Sequence, residues 1–181
     1  MTTRLSIRPF ENADAHKVWH YRRLPDVNAW MTGLDADLDE LRARLGNSDR
    51  AASTLVVEHK GELVGDLYFG QGDAWAQTEI AEQAKGRVAE IGWAFDPAYQ
   101  GLGLASEAAE WLVALCFDTL ALHRVTAVCF ADNEPSWRLM ERIGMRRETH
   151  AVEESLHRNG QWLDSYTYAM LAREWKERSA R

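Results

Sequence analysis

Cysteine is scarce: two residues in a chain of 181, Cys116 and Cys129. That rules out a disulfide framework as the source of stability. One falls in a stretch of helical period and the other in a β-branched run, so both read as small buried hydrophobes. No Cys/His cluster has zinc spacing, and no metal is expected. Long apolar runs are missing as well, so no membrane-spanning helix and no membrane partner are expected. The N-terminus carries no signal-peptide pattern, because Arg4 and Arg8 sit in a polar, alternating run; a cytoplasmic protein is expected. Positive charge is in deficit. The net charge of −7 argues against a nucleic-acid groove, and it suits cationic acceptors as well as it suits plain solubility. Internal repeats and low-complexity linkers are absent, so residues 1–181 read as one domain long enough for a real core.

What is present centres on Ala89–Ala105, AEIGWAFDPAYQGLGLA. Ala89, Ile91, Trp93 and Phe95 alternate onto one face of a strand. Asp96-Pro97 turns the chain, since proline fixes φ and removes a ladder donor. Gln100, Gly101, Leu102, Gly103, Leu104 and Ala105 then run into an amphipathic helix. A glycine loop at a helix start offers free N–H groups and a positive dipole end to an anion, usually a phosphate. A Gly-x-Gly alone is also compatible with an ordinary strand-to-helix turn. A dinucleotide loop would want glycine at Ser106, and a Walker loop would want Gly-Lys-Ser/Thr; neither is found.

The rest of the chain reads as alternating strands and helices. Arg4–Phe10 is a short strand ended by Pro9. A helix capped by Asn12 or Asp14 runs to about Leu24 and is stopped by Pro25. A second helix covers Asp37–Leu45, with Gly46 as its C-cap. Thr54–Glu58 and Glu62–Phe69 form a hairpin around His59-Lys60-Gly61. Gly70–Gly86 has no strong period, and Trp75 within it reads as an anchor or as a pocket contact. The main helix spans Gly103 to Thr119, and Arg124–Phe130 is a buried strand, which completes a βαβ unit with a parallel pair. Asn133 caps a further helix ended by Gly144. Met145–His157 and Trp162–Leu171 are strands around an Asn-Gly turn. Arg173–Arg181 is charged and reads as a fraying tail.

This order, with Gln100-x-x-Gly-x-Ala105 and Asn133-x-x-Ser136 about thirty residues apart, resembles the GNAT superfamily of N-acyltransferases. Leu5-x-Ile7-Arg8-Pro9, Glu90-Ile91-Gly92-Trp93, Ser136-x-x-Leu139-Met140-Glu141-Arg142-Ile143-Gly144-Met145 and the closing Leu171-x-x-Glu174-Trp175 resemble the type that includes the RimJ and RimL ribosomal-protein N-terminal acetyltransferases, a type with enzymes for protein N-termini and for small-molecule amines. The resemblance covers nearly the whole chain. It implies an α+β fold, with a mixed sheet of about seven strands splayed between strands 4 and 5 and flanked by about four helices. It implies acetyl-CoA as donor and an amine as acceptor. The CoA-binding residues would be Trp93, Ala94, Phe95, the loop Gln100–Ala105, Asn133 and Ser136. Many members carry a tyrosine after the fifth strand that protonates the leaving thiolate; Met140 stands at that position here.

Acyl transfer needs a neutral amine, a polarised carbonyl and a route for the thiolate. Glu90, mid-strand beside the small residues Gly92 and Ala94, is the candidate base; a solvated strand carboxylate is the bland alternative. Ser136 is the candidate acid or a hydrogen-bond partner of the CoA sulfur, and otherwise a plain first-turn serine. Tyr166 and Tyr168 are alternative phenols, while His150 and His157 read as structural or exposed. Trp30 and Met31, with Glu90, are candidates for the acceptor pocket, although core packing under a loop is the favoured reading of the first two. Val27–Leu34 and Gly70–Gly86 are expected to flank the acceptor end. Eight tryptophans are many for one small core, so a homodimer is expected. A non-catalytic acyl-CoA sensor would carry the same phosphate loop and stays open as a second reading.

Overall fold

A computed structural model describes Thr2 and residues 4–179. The strands are β1 Leu5–Pro9, β2 Thr54–His59, β3 Glu62–Gly72, β4 Val88–Phe95, β5 Arg124–Phe130, β6 Arg146–Leu156 and β7 Trp162–Leu171. They form one sheet of seven strands in the order β1-β2-β3-β4-β5-β7-β6. β1–β2, β2–β3, β5–β7 and β6–β7 pair antiparallel, and β4–β5 is parallel. The parallel register is short. Val88, Ala89 and Glu90 face Arg124, Val125 and Thr126, whereas β5 and β7 pair along the whole of β5. A mixed sheet splayed between its fourth and fifth strands requires such a short register.

The helices are α1 Ala15–Arg22, α2 Pro25–Asn28, α3 Leu38–Gly46, α4 Ser48–Ala52, α5 Leu104–Ala114, α6 Glu134–Arg142 and α7 Ala172–Ser179. Several boundaries differ from expectation for identifiable reasons. α1 ends at Arg22, and Pro25 opens α2 at its first position, where a missing N–H costs nothing. Gly46 is the last residue of α3 and not its left-handed cap; Asn47 follows in extended conformation and caps α4. β5 is not fully buried, because Val128 is exposed. Gly70–Gly86 is more ordered than its composition suggests. β3 runs on to Gly72, a 3-10 helix covers Thr78–Ala84, and Asp73 and Gln71 tie both ends to Gly86. Trp75 is not an anchor, being 94% exposed. The charged tail is helical as far as Ser179: Trp175 donates to Asp118 at 2.8 Å, and Arg178 pairs with Glu110. Residues 180 and 181 of that tail lie outside the described residues.

Two compact units make up the chain. The first runs through Phe69 and includes Gly92–Ala109; the second holds Gly70–Ile91 and the chain from Glu110 onward. In the first unit Val18 and Tyr21 of α1 and Leu41 and Leu45 of α3 close over Phe10, Val56, Leu63 and Ala94. Asp66 on β3 is buried, and it takes both Arg22 and the Tyr21 hydroxyl as donors. A buried carboxylate is tolerable only when paired in this way.

In the second unit Leu112 and Val113 of α5, Cys116 of the helical segment Leu115–Thr119 that follows it, Val125 and Ala127 of β5, Leu139 and Met140 of α6, and Tyr168 and Met170 of β7 are all buried. Phe117 stacks on Trp175 with ring centroids 6.3 Å apart. Glu148 on the edge strand β6 takes hydrogen bonds from Arg124 of β5 and from Arg146. The Arg124 bonds, with Arg146 adding to them, bring its carboxyl down to about 2. A carboxyl lowered in the folded state stabilises fully above its unfolded value, and that contribution fades as pH falls through the folded value. Glu148→Gln is therefore expected to lower the midpoint of thermal unfolding at pH 7 and to leave it nearly unchanged near pH 2. Melting curves across that range check this.

Candidate active site

In the first unit the glycine loop is built from β4 outward. Asp96 accepts the Ala98 N–H at 2.9 Å and starts a 3-10 turn over Pro97–Tyr99. Gly101 and Gly103 take φ of +76° and +73°, a region that costs any residue with a Cβ. α5 then starts at Leu104, which is buried and anchors the helix. Leu104 and Ala105 open that helix, so no carbonyl four residues back within it takes their N–H groups. The loop is held from behind. Arg4 Nη1 donates to the Leu102 carbonyl at 3.0 Å, Arg4 Nε to Glu107 Oε2 at 2.7 Å and the Arg4 backbone N–H to Glu107 Oε1 at 3.2 Å. One guanidinium thus clips the loop to the first turn of α5. Gln100, Gly101, Leu102 and Gly103 are all exposed.

Other sequence candidates in this unit serve packing as well. Ala94 is a member of the core cluster, and the Phe95 ring lies on Gly65, where a Cβ would come within 2.6 Å of it. The side chains of these two residues are therefore committed to the core, and β4 can offer a ligand only their backbone. Trp93 is half-buried. Met31 packs against the core cluster, in keeping with the packing reading of that segment, and Trp30 is half-buried in the turn after α2.

The second unit holds Glu90, Asn133 and Ser136. Glu90 is exposed and stands opposite Thr126 in the parallel register. Cys129 belongs to the other face of β5, with Val125 and Ala127, and its register partner on β7 is Tyr166. Ser136, in the first turn of α6, hydrogen-bonds to the Cys129 thiol; burial pushes that thiol up to about 11 in spite of this bond. Glu90 and Ser136 therefore belong to opposite faces of this part of the sheet. Asn133 occupies the N-cap position of α6, but its side chain makes no capping bond, contrary to expectation. Met140, at the position where a tyrosine is common, is buried and offers no proton.

The remaining titratable candidates divide clearly. Tyr168 is buried and donates to Glu141 at 2.8 Å; burial first, then that bond, pushes it up to about 12. Tyr166 lies edge-on to Trp137, His150 and Tyr168, with the Arg147 guanidinium 4.5 Å from its ring centre. His150 pairs with Asp164 at 2.5 Å, and His157 lies edge-on to Phe130. Among the described residues no group of three or more His, Cys, Asp or Glu could hold a metal ion. No helix among them is long and apolar enough to cross a membrane.

Comparison with known proteins agrees with this fold. The family described as Acetyltransferase (GNAT) domain matches residues 4–146. The uncharacterized N-acetyltransferase YnaD of Bacillus subtilis is 34% identical over 96% of this chain and 97% of its own. A crystal structure of a GNAT-family acetyltransferase from Bacillus anthracis superposes with a TM-score of 0.80 at 34% identity, covering 96% of this chain and 98% of that one. A spermidine N-acetyltransferase SpeG variant from Vibrio cholerae shares the fold, with a TM-score of 0.77 at 23% identity over 98% of this chain and 99% of that one. The chain belongs to the GNAT acetyltransferase family. It is an acetyl-CoA-dependent N-acetyltransferase, which transfers acetyl to an amine.

Proposed function

We propose that this enzyme, acting as one acyltransferase domain over residues 1–181, acetylates the α-amine of a protein N-terminus in the manner of the RimJ/RimL type. One observation carries this: Glu90 is an exposed strand carboxylate, suited to a weak, water-relayed base. An α-amine with pKa about 7.7–8.0 costs only about 1 kcal/mol to neutralise at pH 7, whereas a lysine-like amine costs about 4–5 kcal/mol. The putative ribosomal N-acetyltransferase YdaF of Bacillus subtilis, 36% identical over 50% of this chain and 49% of its own, supports the same reading.

In this reading the backbone of Gln100–Ala105 holds the CoA pyrophosphate, and Asn133 holds the pantetheine arm with its uncapped amide. Trp93, Ala94 and Phe95 contribute strand N–H groups, one of which polarises the thioester carbonyl. The amine approaches on the Glu90 face, and Trp30 and Met31 are its proposed contacts. Its nitrogen attacks the carbonyl carbon, the C–S bond breaks, and the amine proton leaves through water to Glu90. The thioester sulfur lies on the Ser136 face, where the hydroxyl turns from Cys129 to the departing thiolate. The enzyme works in the cytoplasm as a homodimer, with neither nucleic acid nor membrane as a partner.

Ser136→Ala is expected to lower kcat/KM about tenfold. The effect is modest because a thiolate leaves readily near its pKa of about 8.5, and it should shrink as pH rises past that value. A pH series of initial rates checks it. Acceptor class is tested by competing N-terminal peptides against polyamines and aminoglycosides. The peptides should be acetylated first; exclusive use of polyamines would overturn the N-terminal reading.

A further inference from the structure

Residues 23–34, in the first unit, are held at both ends by a guanidinium fork on a buried carboxylate. At the start, Arg22 closes α1 and donates Nε to Asp66 Oδ1 at 3.0 Å and Nη2 to Asp66 Oδ2. At the far end, Arg44 of α3 donates Nε to Asp35 Oδ1 at 2.7 Å and Nη2 to Asp35 Oδ2 at 2.6 Å. Its guanidinium also lies along Gly33, where a Cβ would stand 3.9 Å from Nε. Asp35 is 7% exposed and Asp66 2%. Burial pulls the Arg22 guanidinium down, but Asp66, Tyr21 and Asp35 outweigh it and hold it above its ordinary value, so the second anchor acts on the first. Between the anchors the backbone bonds locally. The Asn28 N–H goes to the Leu24 carbonyl at 2.7 Å, that of Ala29 to Pro25 at 2.9 Å and that of Met31 to Asn28 at 3.1 Å. Leu24, Val27 and Met31 rest on the core cluster. Apolar contact holds the segment down without fixing its direction, whereas a two-bond fork fixes direction as well.

A buried ion pair adds little net stability, because desolvating both ions offsets most of their attraction. Two such pairs flanking one short segment point instead to its placement. Asp66 stands on β3, the sheet neighbour of β4. Arg22 thereby ties the segment to the strand next to the one whose N–H groups meet the thioester in the reading above. We propose that Asp66–Arg22 and Asp35–Arg44 are positioning pairs that hold residues 23–34, with Trp30 and Met31, in the one arrangement that receives the amine. This rests on the reading that Trp30 and Met31 contact the acceptor. The four charged groups take no part in bond making. Their effect is on populations. With an anchor loosened, the segment samples other positions and the amine must select the competent one, so its apparent affinity falls by the competent fraction. At saturating amine the full rate returns.

The test is steady-state kinetics on Asp35→Asn and on the double variant Arg22→Met/Asp66→Asn, with a free-α-amine peptide as acceptor and spermidine in parallel. Asp35→Asn keeps one acceptor oxygen, and Arg44 is open enough to water to rehydrate, so the fold is retained. The double variant removes cation and carboxylate together, so no unpaired ion stays buried, and the new amide oxygen still accepts the Tyr21 hydroxyl. In each, KM for the amine should rise about tenfold, as a competent population of about one in ten would give. Turnover at saturation and affinity for acetyl-CoA should stay within about twofold. Amide hydrogen exchange across residues 25–33 should be faster than in wild type and should slow again in saturating amine. Arg44→Lys keeps the charge and loses the fork, and its KM should lie between those of wild type and Asp35→Asn. A lower thermal midpoint with KM unchanged in both variants would overturn the proposal, since the pairs would then only stabilise the fold. An equal loss of affinity for amine and acetyl-CoA would overturn it as well. If saturating amine protects residues 25–33 of wild type while the variants keep the wild-type KM, the acceptor reading stands and the anchors alone are removed. If it leaves that protection unchanged in wild type, the acceptor reading and this one fall together.

Discussion

Glu90→Gln should lower kcat/KM at pH 7 by about 100- to 1,000-fold, the lower part of the range for acid–base catalysis. Glutamine keeps the size and the strand geometry, so the variant isolates the carboxylate. Glu90 is exposed and stands outside the glycine loop, and affinity for acetyl-CoA should hardly change. The pH dependence carries the mechanism. As pH rises toward the amine's own pKa, the neutral nucleophile forms without help and the defect should shrink. With an α-amine acceptor that recovery falls near pH 8, and with a lysine-like amine near pH 10. A variant with wild-type rates at every pH would assign the proton to bulk water or to another group, and Tyr166 would be examined next.

Gly103→Val should weaken acetyl-CoA binding by about 100-fold or more. The added Cβ meets nothing closer than Arg4 Nη2 at 3.7 Å, so crowding inside the protein is not the cause. The cost is conformational: φ at this position is +73°, and a β-branched residue there is strained by about 1–3 kcal/mol. The strain is relieved by turning the loop N–H groups away from the phosphates, whose bonds to them are each worth about 1.5–3 kcal/mol. Loss of two such bonds, about 3 kcal/mol or more, covers the roughly 2.8 kcal/mol that a 100-fold change requires. Unfolding curves and circular dichroism should show a retained fold, because Gly103 is exposed. A folded variant that binds acetyl-CoA like wild type would remove the phosphate-loop assignment.

Local chemistry made much of this legible in the sequence. Period-two alternation located β1 and β4, a β-branched apolar run located β5, and turn signals located the two hairpins; the glycine loop after β4 announced itself by composition and by the helix that follows. Failures came where a distant partner overrides local preference. Arg4 clips the loop through Glu107 and Leu102, about a hundred residues further along the chain, and no pattern in a single sequence links them. Gly46 has the composition of a helix cap, yet Asn47 caps the next helix and leaves Gly46 helical. The charged segment after Leu171 looks like a fraying end, but Trp175 and Arg178 find Asp118 and Glu110 far upstream. Asn133 and Ser136 were legible as a motif, whereas the side-chain geometry was not: one makes no cap bond and the other meets Cys129. The opposition of Glu90 and Ser136 follows from register, which the pairing of β4, β5 and β7 sets and no single strand contains.

The most direct test is incubation of the enzyme with acetyl-CoA and a mixture of N-terminal peptides and small amines. Free CoA thiol and acetylated amine are then quantified together, the latter by mass spectrometry. The account predicts thiol release that depends on the amine, with one acetylated amine for each thiol. Stoichiometric binding of acetyl-CoA with no amine-dependent thiol release from any member of the mixture would contradict it and would describe an acyl-CoA sensor instead.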